Sequence, residues 1–190
     1  MCGFGNKDRR PCTPTPILKL VVTDKDKKEI GPTNLNTTFF TAFASLVFEN
    51  TPTSADLVRN RVTGKSSQED QKASSSEDLN NAEAKPKILK NLVGNTVASA
   101  SVLYDLEGKM GIFFIFHDLS IRKDGVFRIK FSFSDLSSQN TITTTSAEIK
   151  SHCYSGPISV YTARSFPGMI EPTALSLHLS RQGAKIPSRK

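Results

Sequence analysis

An alternation of apolar and polar residues near the middle of the chain constrains its fold more than any other feature. The apolar residues occupy odd positions and the polar ones even positions: Phe127, Ile129, Phe131 and Phe133 against Arg128, Lys130, Ser132 and Ser134. A strict period of two is typical of a β-strand with one buried and one solvated face. The sequence therefore predicts a strand over residues 126–133. A lone sheet cannot cover such an apolar face, so we expect a second layer to pack on it.

Two more strands are predicted immediately before this one. Residues 97–106 form the first, and residues 111–121, which contain the run IFFIF, form the second. Glycine-containing turns separate the three segments, and glycine accepts the positive φ that tight reversals require. We therefore expect the three strands to form one antiparallel meander at the centre of the protein.

The flanking segments supply further strands. Residues 17–23 (ILKLVVT) and 39–48 (FFTAFASLVF) are apolar and rich in residues that favour strands. In the second, one face is predicted to carry Phe40, Ala42, Ala44, Leu46 and Phe48. Two short strands are predicted over residues 147–153 and 158–163. About seven strands describe a mostly β protein, an antiparallel β-sandwich of immunoglobulin-like architecture.

One helix is predicted, over residues 172–182 near the C-terminus. Pro172 suits the first helical position and Gly183 suits the position just past the end. The helix either docks a partner or packs against its own sandwich, and we favour the second.

The 190 residues are predicted to form a single domain with two irregular segments. Residues 1–16 (MCGFGNKDRRPCTPTP) form a basic, proline-rich extended arm, because their glycines and prolines disfavour helix and central strand. Residues 50–91 are mostly polar, so we expect a flexible, disordered insertion. Residues 56–62 of it are the part that could form a short helical turn.

The chain is basic, with 25 Lys and Arg against 18 Asp and Glu, a net charge of +7 and a pI near 9.4. This charge favours an anionic partner, although a merely basic soluble domain would have the same composition. Three cysteines without a C-x-x-C spacing exclude a disulfide framework and a zinc site, and they fit a reducing compartment. No apolar stretch is long enough for a membrane span, and no secretory signal is visible.

The sequence offers no constellation for catalysis. His117 and Asp118 are adjacent, so on a strand they point to opposite faces, and a partly buried, hydrogen-bonded histidine is the better interpretation. Neither a nucleophile elbow nor a phosphate-binding loop is present. We therefore predict a protein that is not an enzyme and that has no cofactor, metal ion or small-molecule substrate.

Basic clusters are the remaining functional candidates. A β-sandwich binds DNA with loops and arms at one end, where cations contact phosphates. For the N-terminal arm, a solvated tail that aids solubility is the alternative. The candidate DNA-binding residues are Lys7, Arg9, Arg10, Arg122, Lys123, Lys185, Arg189 and Lys190.

Four blocks of this sequence resemble the velvet family of fungal regulators. They are MCGFGNKDRRP, FFTAFASL, the segment from LVGN to FSFSDL, and VYTARSFPGMIEPTALSLHLSRQGAKIPSRK. The resemblance implies a Rel-like immunoglobulin sandwich that binds double-stranded DNA in the nucleus, with a cytoplasmic pool. It also implies a homodimer, or a heterodimer with another velvet protein, that regulates development, sporulation and secondary metabolism.

The family's DNA contact is assigned to the basic run before the proline-rich lead, which corresponds here to Lys7, Arg9 and Arg10. The alternative is an interaction subunit whose velvet partner supplies most of the DNA contact. Family members generally have a strand before the Met-Cys-Gly region, and an unpaired edge there would favour this alternative.

Overall fold

The structure, a computed structural model, describes residues 10–60, 87–138, 141–142 and 146–187. A 3-10 helix covers Pro32–Asn34 and the α-helix α1 covers Ala174–Arg181. In chain order the strands are β1 (Ile17–Leu20), β2 (Phe40–Phe48), β3 (Leu57–Asn60), β4 (Lys87–Lys90), β5 (Leu92–Val93), β6 (Val97–Ser99), β7 (Ser101–Tyr104), β8 (Met110–Ile115), β9 (Ser120–Ile121), β10 (Gly125–Asp135), β11 (Ser137–Ser138), β12 (Thr141–Ile142), β13 (Ile149–Tyr154) and β14 (Ile158–Val160).

Two antiparallel sheets form the body of the protein. The three-stranded sheet has the order β1-β8-β7. The five-stranded sheet has the order β13-β10-β2-β6, and β14 pairs with the first residues of β10. Three two-stranded pairs, β3-β4, β5-β9 and β11-β12, are attached to them. The predicted mostly β, antiparallel sandwich with one C-terminal helix is therefore confirmed.

The core lies between the two sheets and is rich in phenylalanine. The rings of Phe116 and Phe131 are 5.0 Å apart, and those of Phe114 and Phe133 are 6.0 Å apart. Ile129 is fully buried beside them. Such ring pairs contribute about 0.5–1.5 kcal/mol beyond the burial of their area. The layer that covers the apolar face of β10 is thus the phenylalanine-rich strand β8 together with the residues that follow it.

The predicted central meander is confirmed for β7 and β8, which pair antiparallel, and is wrong for β10, because the chain changes sheets inside two of the predicted strands. Residues 97–106 form β6 and β7, which are separated only by Ala100 and pair with β2 and β8, respectively. Residues 111–121 likewise divide into β8 and β9. Strand β8 faces β10 across the core instead of pairing with it. Apolar residues continue at every second position from Ala98 to Tyr104, although Val102 and Tyr104 are exposed in β7, so the sequence pattern does not reveal the crossing.

Strands β10 and β2 agree closely with the sequence. Residues 127–135 of β10 pair with residues 40–48 of β2, and Leu46 and Ile129 are opposite each other. Two side chains depart from the predicted faces. Phe48 is 46% exposed at the end of its strand. Ser134 is buried, because its hydroxyl donates to the Glu148 carbonyl at 2.7 Å beside a β-bulge.

Strands lie at both ends of the range predicted as a flexible insertion. Strand β3 pairs with β4, with Leu57 opposite Lys90. Ala55, just before β3, is buried and donates its N–H to the Leu46 carbonyl at 2.8 Å. The helical turn suggested over residues 56–62 is therefore wrong for residues 57–60. Residues 61–86 lie outside the described residues.

Helix α1 begins at Ala174, two residues later than its proline suggested. Thr173 is the N-cap, and its hydroxyl accepts the Ser176 N–H at 3.1 Å, so Pro172 precedes the cap. The predicted C-terminal signal is confirmed: Gly183 has a φ of 92°, and its N–H donates to the Ser180 carbonyl at 3.0 Å. Together with a bond from Ala184 to Leu179, this is a Schellman motif.

The helix packs on the outer side of the three-stranded sheet. Leu179 is fully buried, and Leu175 lines a small cleft together with Ile17 and Phe113. The Gln182 side chain accepts the Tyr104 N–H at 2.8 Å and donates to the Tyr104 carbonyl at 2.7 Å. The expectation that the helix packs against its own sandwich is confirmed. None of the helices in the described ranges has the length and hydropathy of a membrane span.

Candidate nucleic-acid interface

The N-terminal segment that starts at Arg10 is anchored along the end of β8. The Cys12 N–H donates to the Leu119 carbonyl at 2.7 Å, and the Phe116 N–H donates to the Pro16 carbonyl at 3.0 Å. Cys12 also packs against the core. These contacts bring the exposed Arg10 to the end of the sandwich at which β8 terminates.

The loop that carries Arg122 and Lys123 is held by one buried amide. The backbone and side-chain oxygens of Asn91 accept the N–H groups of Arg122 and Lys123, each at 2.9 Å. The Asn91 side-chain amide donates to the Ala55 carbonyl at 3.0 Å, and its backbone N–H donates to the Asp56 carbonyl at 2.6 Å. Because Asn91 is only 2% exposed, these bonds fix the loop and leave Lys123 projecting into solvent.

Sequence reasoning missed Asn91 as a positioning residue. The only signal was an amide inside an otherwise apolar and basic run, KILKNLV, which was assigned to the end of the flexible insertion. The hydrogen bonds of Asn91 join residues that are distant in sequence, so the pattern around it could not indicate them.

A cavity of about 550 Å³ lies between the N-terminal segment and the strand that precedes Arg122 and Lys123. Arg10 and Cys12 line one side of it, and Ile121, directly before Arg122, lines another. The remaining wall comes from β14 and the residues after it, including Tyr161, Phe166 and Met169. The structure thus brings Arg10, Arg122 and Lys123 to the same end of the sandwich, which we call the basic end.

Lys185 does not join the basic end. Lys185 follows α1. Gln182, at the end of this helix, is hydrogen-bonded to Tyr104, which lies at the end of the three-stranded sheet opposite the basic end. Four other predicted residues, Lys7, Arg9, Arg189 and Lys190, lie outside the described residues. The role of all eight in DNA binding stays a prediction.

The charges at the two ends of the sandwich are arranged differently. At the end opposite the basic end, Lys19 pairs with Asp105 at 2.9 Å and Lys109 pairs with Glu29 at 2.5 Å. The hydrogen bond from Lys19 lowers the pKa of Asp105, and the bond to Glu29 raises the pKa of Lys109. Within the described ranges, no carboxylate lies at ion-pair distance from Arg10 or Lys123.

The described residues contain no group of three His, Cys, Asp or Glu side chains that could hold a metal ion. His117 is half-buried, as predicted. Desolvation raises the pKa of the Cys153 thiol, which keeps the thiol protonated and therefore weakly nucleophilic.

The fold defines an antiparallel β-sandwich protein whose N-terminal segment and inter-strand loop carry the exposed cations Arg10 and Lys123. A family model described as "Velvet factor" matches residues 1–190, and the chain belongs to the velvet family. The resemblance found in the sequence is therefore confirmed.

Three relatives illustrate the similarity of this chain to known velvet proteins. The chain is 30% identical to "Velvet complex subunit umv2" of Mycosarcoma maydis and 30% identical to a velvet complex subunit of Emericella nidulans. It is 32% identical to "Sexual development regulator umv3" of Mycosarcoma maydis. Each match covers all of this chain but 56%, 74% and 42% of the respective relative.

Proposed function

We propose that this chain is a velvet regulator of fungal development that binds double-stranded DNA as a homodimer or as a heterodimer with another velvet protein. The observation that carries the proposal is the grouping of Arg10, Arg122 and Lys123 at one end of the sandwich. Membership of a regulatory family and the relatives' names support the regulatory part. Action in the nucleus, with a cytoplasmic pool, and control of sporulation and secondary metabolism belong to the same proposal.

The proposed mechanism uses a rigid sandwich to present cations on short, anchored segments. Asn91 holds the backbone beside Lys123, and Leu119 holds the segment that begins at Arg10. Cations fixed in this way contact successive phosphates with little loss of entropy and displace condensed counterions. An arginine of this segment can also present its two-pronged guanidinium to a guanine edge.

Duplex binding across a salt series tests the proposal. The Arg10→Ala/Lys123→Ala double variant is expected to bind more weakly, with a log–log salt slope smaller by about two units, because each lost phosphate contact removes roughly 0.9. Lys25→Ala/Lys28→Ala is the matched control, since it removes two exposed cations from the turn beside Glu29, at the opposite end. Unchanged slopes in the double variant, with the mass unchanged by light scattering, would contradict the assignment of the basic end.

An interaction subunit is the second candidate function, because two relatives are named as subunits of a velvet complex. In that case the wild-type chain alone would not bind duplex DNA, whereas its complex with another velvet protein would. The same titration, repeated with a co-expressed velvet partner, distinguishes the two candidates.

A further inference from the structure

On the outer face of the five-stranded sheet, β13 is exposed and Ser45, Arg128 and Lys130 are half-buried, whereas Thr41, Val47 and Ser134 are buried. Helix α1 covers the other sheet, and the inward residues of β10 and β2 form the core. The register places residues of three strands side by side on the outer face. One row is Tyr154, Lys130 and Ser45, and the next is His152, Ser132 and Phe43. Neighbouring strands lie about 4.8 Å apart, so each row spans about 10 Å.

The aromatic and cationic groups of this face are held in place by one another. The Arg128 guanidinium carbon lies 5.7 Å from the centre of the Tyr154 ring. Its Nε–H donates to the Ser155 carbonyl at 2.7 Å, which fixes the direction of the guanidinium. The His152 ring meets the Tyr154 ring edge-on at 5.8 Å. Tyr154 remains 38% exposed, so its ring is accessible to a ligand.

The charge of this face is of one sign. The outward positions of β2, β6, β10 and β13, all within the described ranges, carry no carboxylate. Glu148 directly precedes β13, and its carboxylate is paired with the Lys150 ammonium at 2.6 Å. A two-fold contact of this face with the same face of a second copy is unfavourable, because Arg128 and Lys130 of each copy would oppose like charges. The face instead complements a polyanion.

We propose that the outer face of the five-stranded sheet binds single-stranded DNA. Tyr154 stacks on a base, and Lys130 and Arg128 contact the adjoining phosphates. A flat face of rings and cations favours a single strand, because bases stacked inside a duplex do not expose their faces to a side chain. The hydroxyls of Ser45 and Ser132 add hydrogen-bonding groups between the rings.

The face is continuous with the basic end. Strand β10 begins two residues after Lys123, and Arg128 is its first outward cation. A strand separated from a duplex at the basic end would therefore reach this face directly. The choice of DNA over RNA rests on the proposed function, whereas the preference for a single strand rests only on the geometry of the face.

The test is fluorescence anisotropy with a labelled oligothymidylate of about ten nucleotides, the length scale of such sites. Tyr154→Ala is expected to weaken binding about ten-fold, and Tyr154→Phe to retain most of it, because the ring supplies the stacking. Lys130→Ala is expected to reduce the log–log salt slope by about 0.7, the value for a single-strand phosphate. Lys130→Glu provides a second disruption of the face that leaves every ring intact.

Two controls isolate the face. Tyr104→Ala removes an exposed ring from the edge of the other sheet, and Arg10→Ala/Lys123→Ala alters the basic end. Tyr104→Ala is expected to leave the affinity for oligothymidylate unchanged, and Arg10→Ala/Lys123→Ala is expected to lower it less than Tyr154→Ala does. Equal losses in Tyr154→Ala and Tyr104→Ala, or no binding by the wild type, would overturn the proposal.

Probes of other nucleic acids complete the experiment. If the affinity for a duplex of the same length falls equally in Tyr154→Ala, the single-strand assignment would be overturned. Tighter binding of oligouridylate than of oligothymidylate would overturn the choice of DNA. Loss of duplex binding in Arg10→Ala/Lys123→Ala with most oligothymidylate binding retained would support both proposals. Oligothymidylate binding that depends on Tyr154, without any duplex binding, would defeat the proposed function alone.

Discussion

At the scale of single residues, Asn91 joins two segments that are distant in the sequence, although no sequence pattern identified it. Its four hydrogen bonds join the segment before β3 to the loop before β10. A buried amide whose partners are all backbone groups leaves those groups unsatisfied when it is removed. The position of Lys123 at the basic end therefore depends on a residue that need not contact DNA.

Replacement of Asn91 by alanine tests this dependence. We expect the free energy of unfolding of Asn91→Ala to fall by about 1–3 kcal/mol, because the Ala55 carbonyl and the Lys123 N–H lose their partner. Urea denaturation gives that loss, and hydrogen exchange should show faster exchange of the Lys123 amide. Asn95→Ala, at an exposed asparagine four residues away, is the control. Slow exchange of the Lys123 amide in Asn91→Ala would show that the loop is held by other contacts.

Asp105 links stability to pH at the end of the sandwich opposite the basic end. One carboxylate oxygen accepts the Lys19 ammonium at 2.9 Å, and the other accepts the N–H groups of Glu107 and Lys109. The bond from Lys19 is the largest cause of the lowered pKa of Asp105, whose ordinary value is 3.8. A carboxyl with a lower pKa in the folded state stabilises the protein above its unfolded pKa, and this contribution is lost as the pH falls through the folded pKa.

Asp105→Asn is therefore expected to lower the free energy of unfolding at neutral pH. The difference from wild type should shrink as the pH falls from about 6 to about 2.5, since the carboxylate becomes protonated in both states. Urea denaturation at a series of pH values measures it, and Asp26→Asn controls for the loss of an exposed carboxylate. A difference that is the same at both ends of the series would contradict the role of the charge.

At the scale of elements, Gly94 sets how closely two connections approach each other. It lies between β5 and β6 with a φ of 98°, and a Cβ there would lie 1.6 Å from the Asp118 carbonyl oxygen. Asp118 belongs to the crossing between β8 and β9. Close packing of the two connections therefore requires a residue without a side chain.

Gly94→Ala is expected to destabilise the protein by more than about 4 kcal/mol. The Asp118 carbonyl would have to move, and alanine would have to adopt a strained positive φ. Gly108→Ala is the matched control: its φ is 75°, but a Cβ there would meet open space. It should cost only about 1–2 kcal/mol, the penalty for the left-handed conformation. Thermal unfolding compares the two, and the yield of soluble protein serves if Gly94→Ala does not fold. Equal losses would show that the contact with Asp118 relaxes at no cost.

At the scale of the whole molecule, the sequence predicted the strands with continuous patterns. The alternation from Phe127 to Phe133 predicted β10, the apolar run over residues 39–48 predicted β2, and helix α1 lies within the range predicted from Pro172 and Gly183. The assignment of strands to sheets could not be predicted. Ala100 lets the chain cross between sheets, yet its neighbours continue the same apolar pattern.

The candidate site was predicted only in part. Charge alone identified Arg10, Arg122 and Lys123, and the fold groups them. Charge alone also selected Lys185, which lies towards the opposite end of the sandwich. The charge of a residue does not indicate the end of the fold at which it lies. The rows that join Tyr154 to Lys130 depend on the register between β13 and β10, which no local pattern specifies.

The pairing of β2 with β10 also has a consequence for biosynthesis. About 80 residues separate the end of β2 from the start of its partner segment, Phe48 from Phe127. At about 5–20 residues per second, the ribosome needs about 4–16 seconds to make that stretch. Throughout that time the apolar face of β2 has no β10 beside it in the nascent chain. A newly made chain therefore exposes the apolar face of β2 until β10 has been synthesised, which is the kind of surface that chaperones bind.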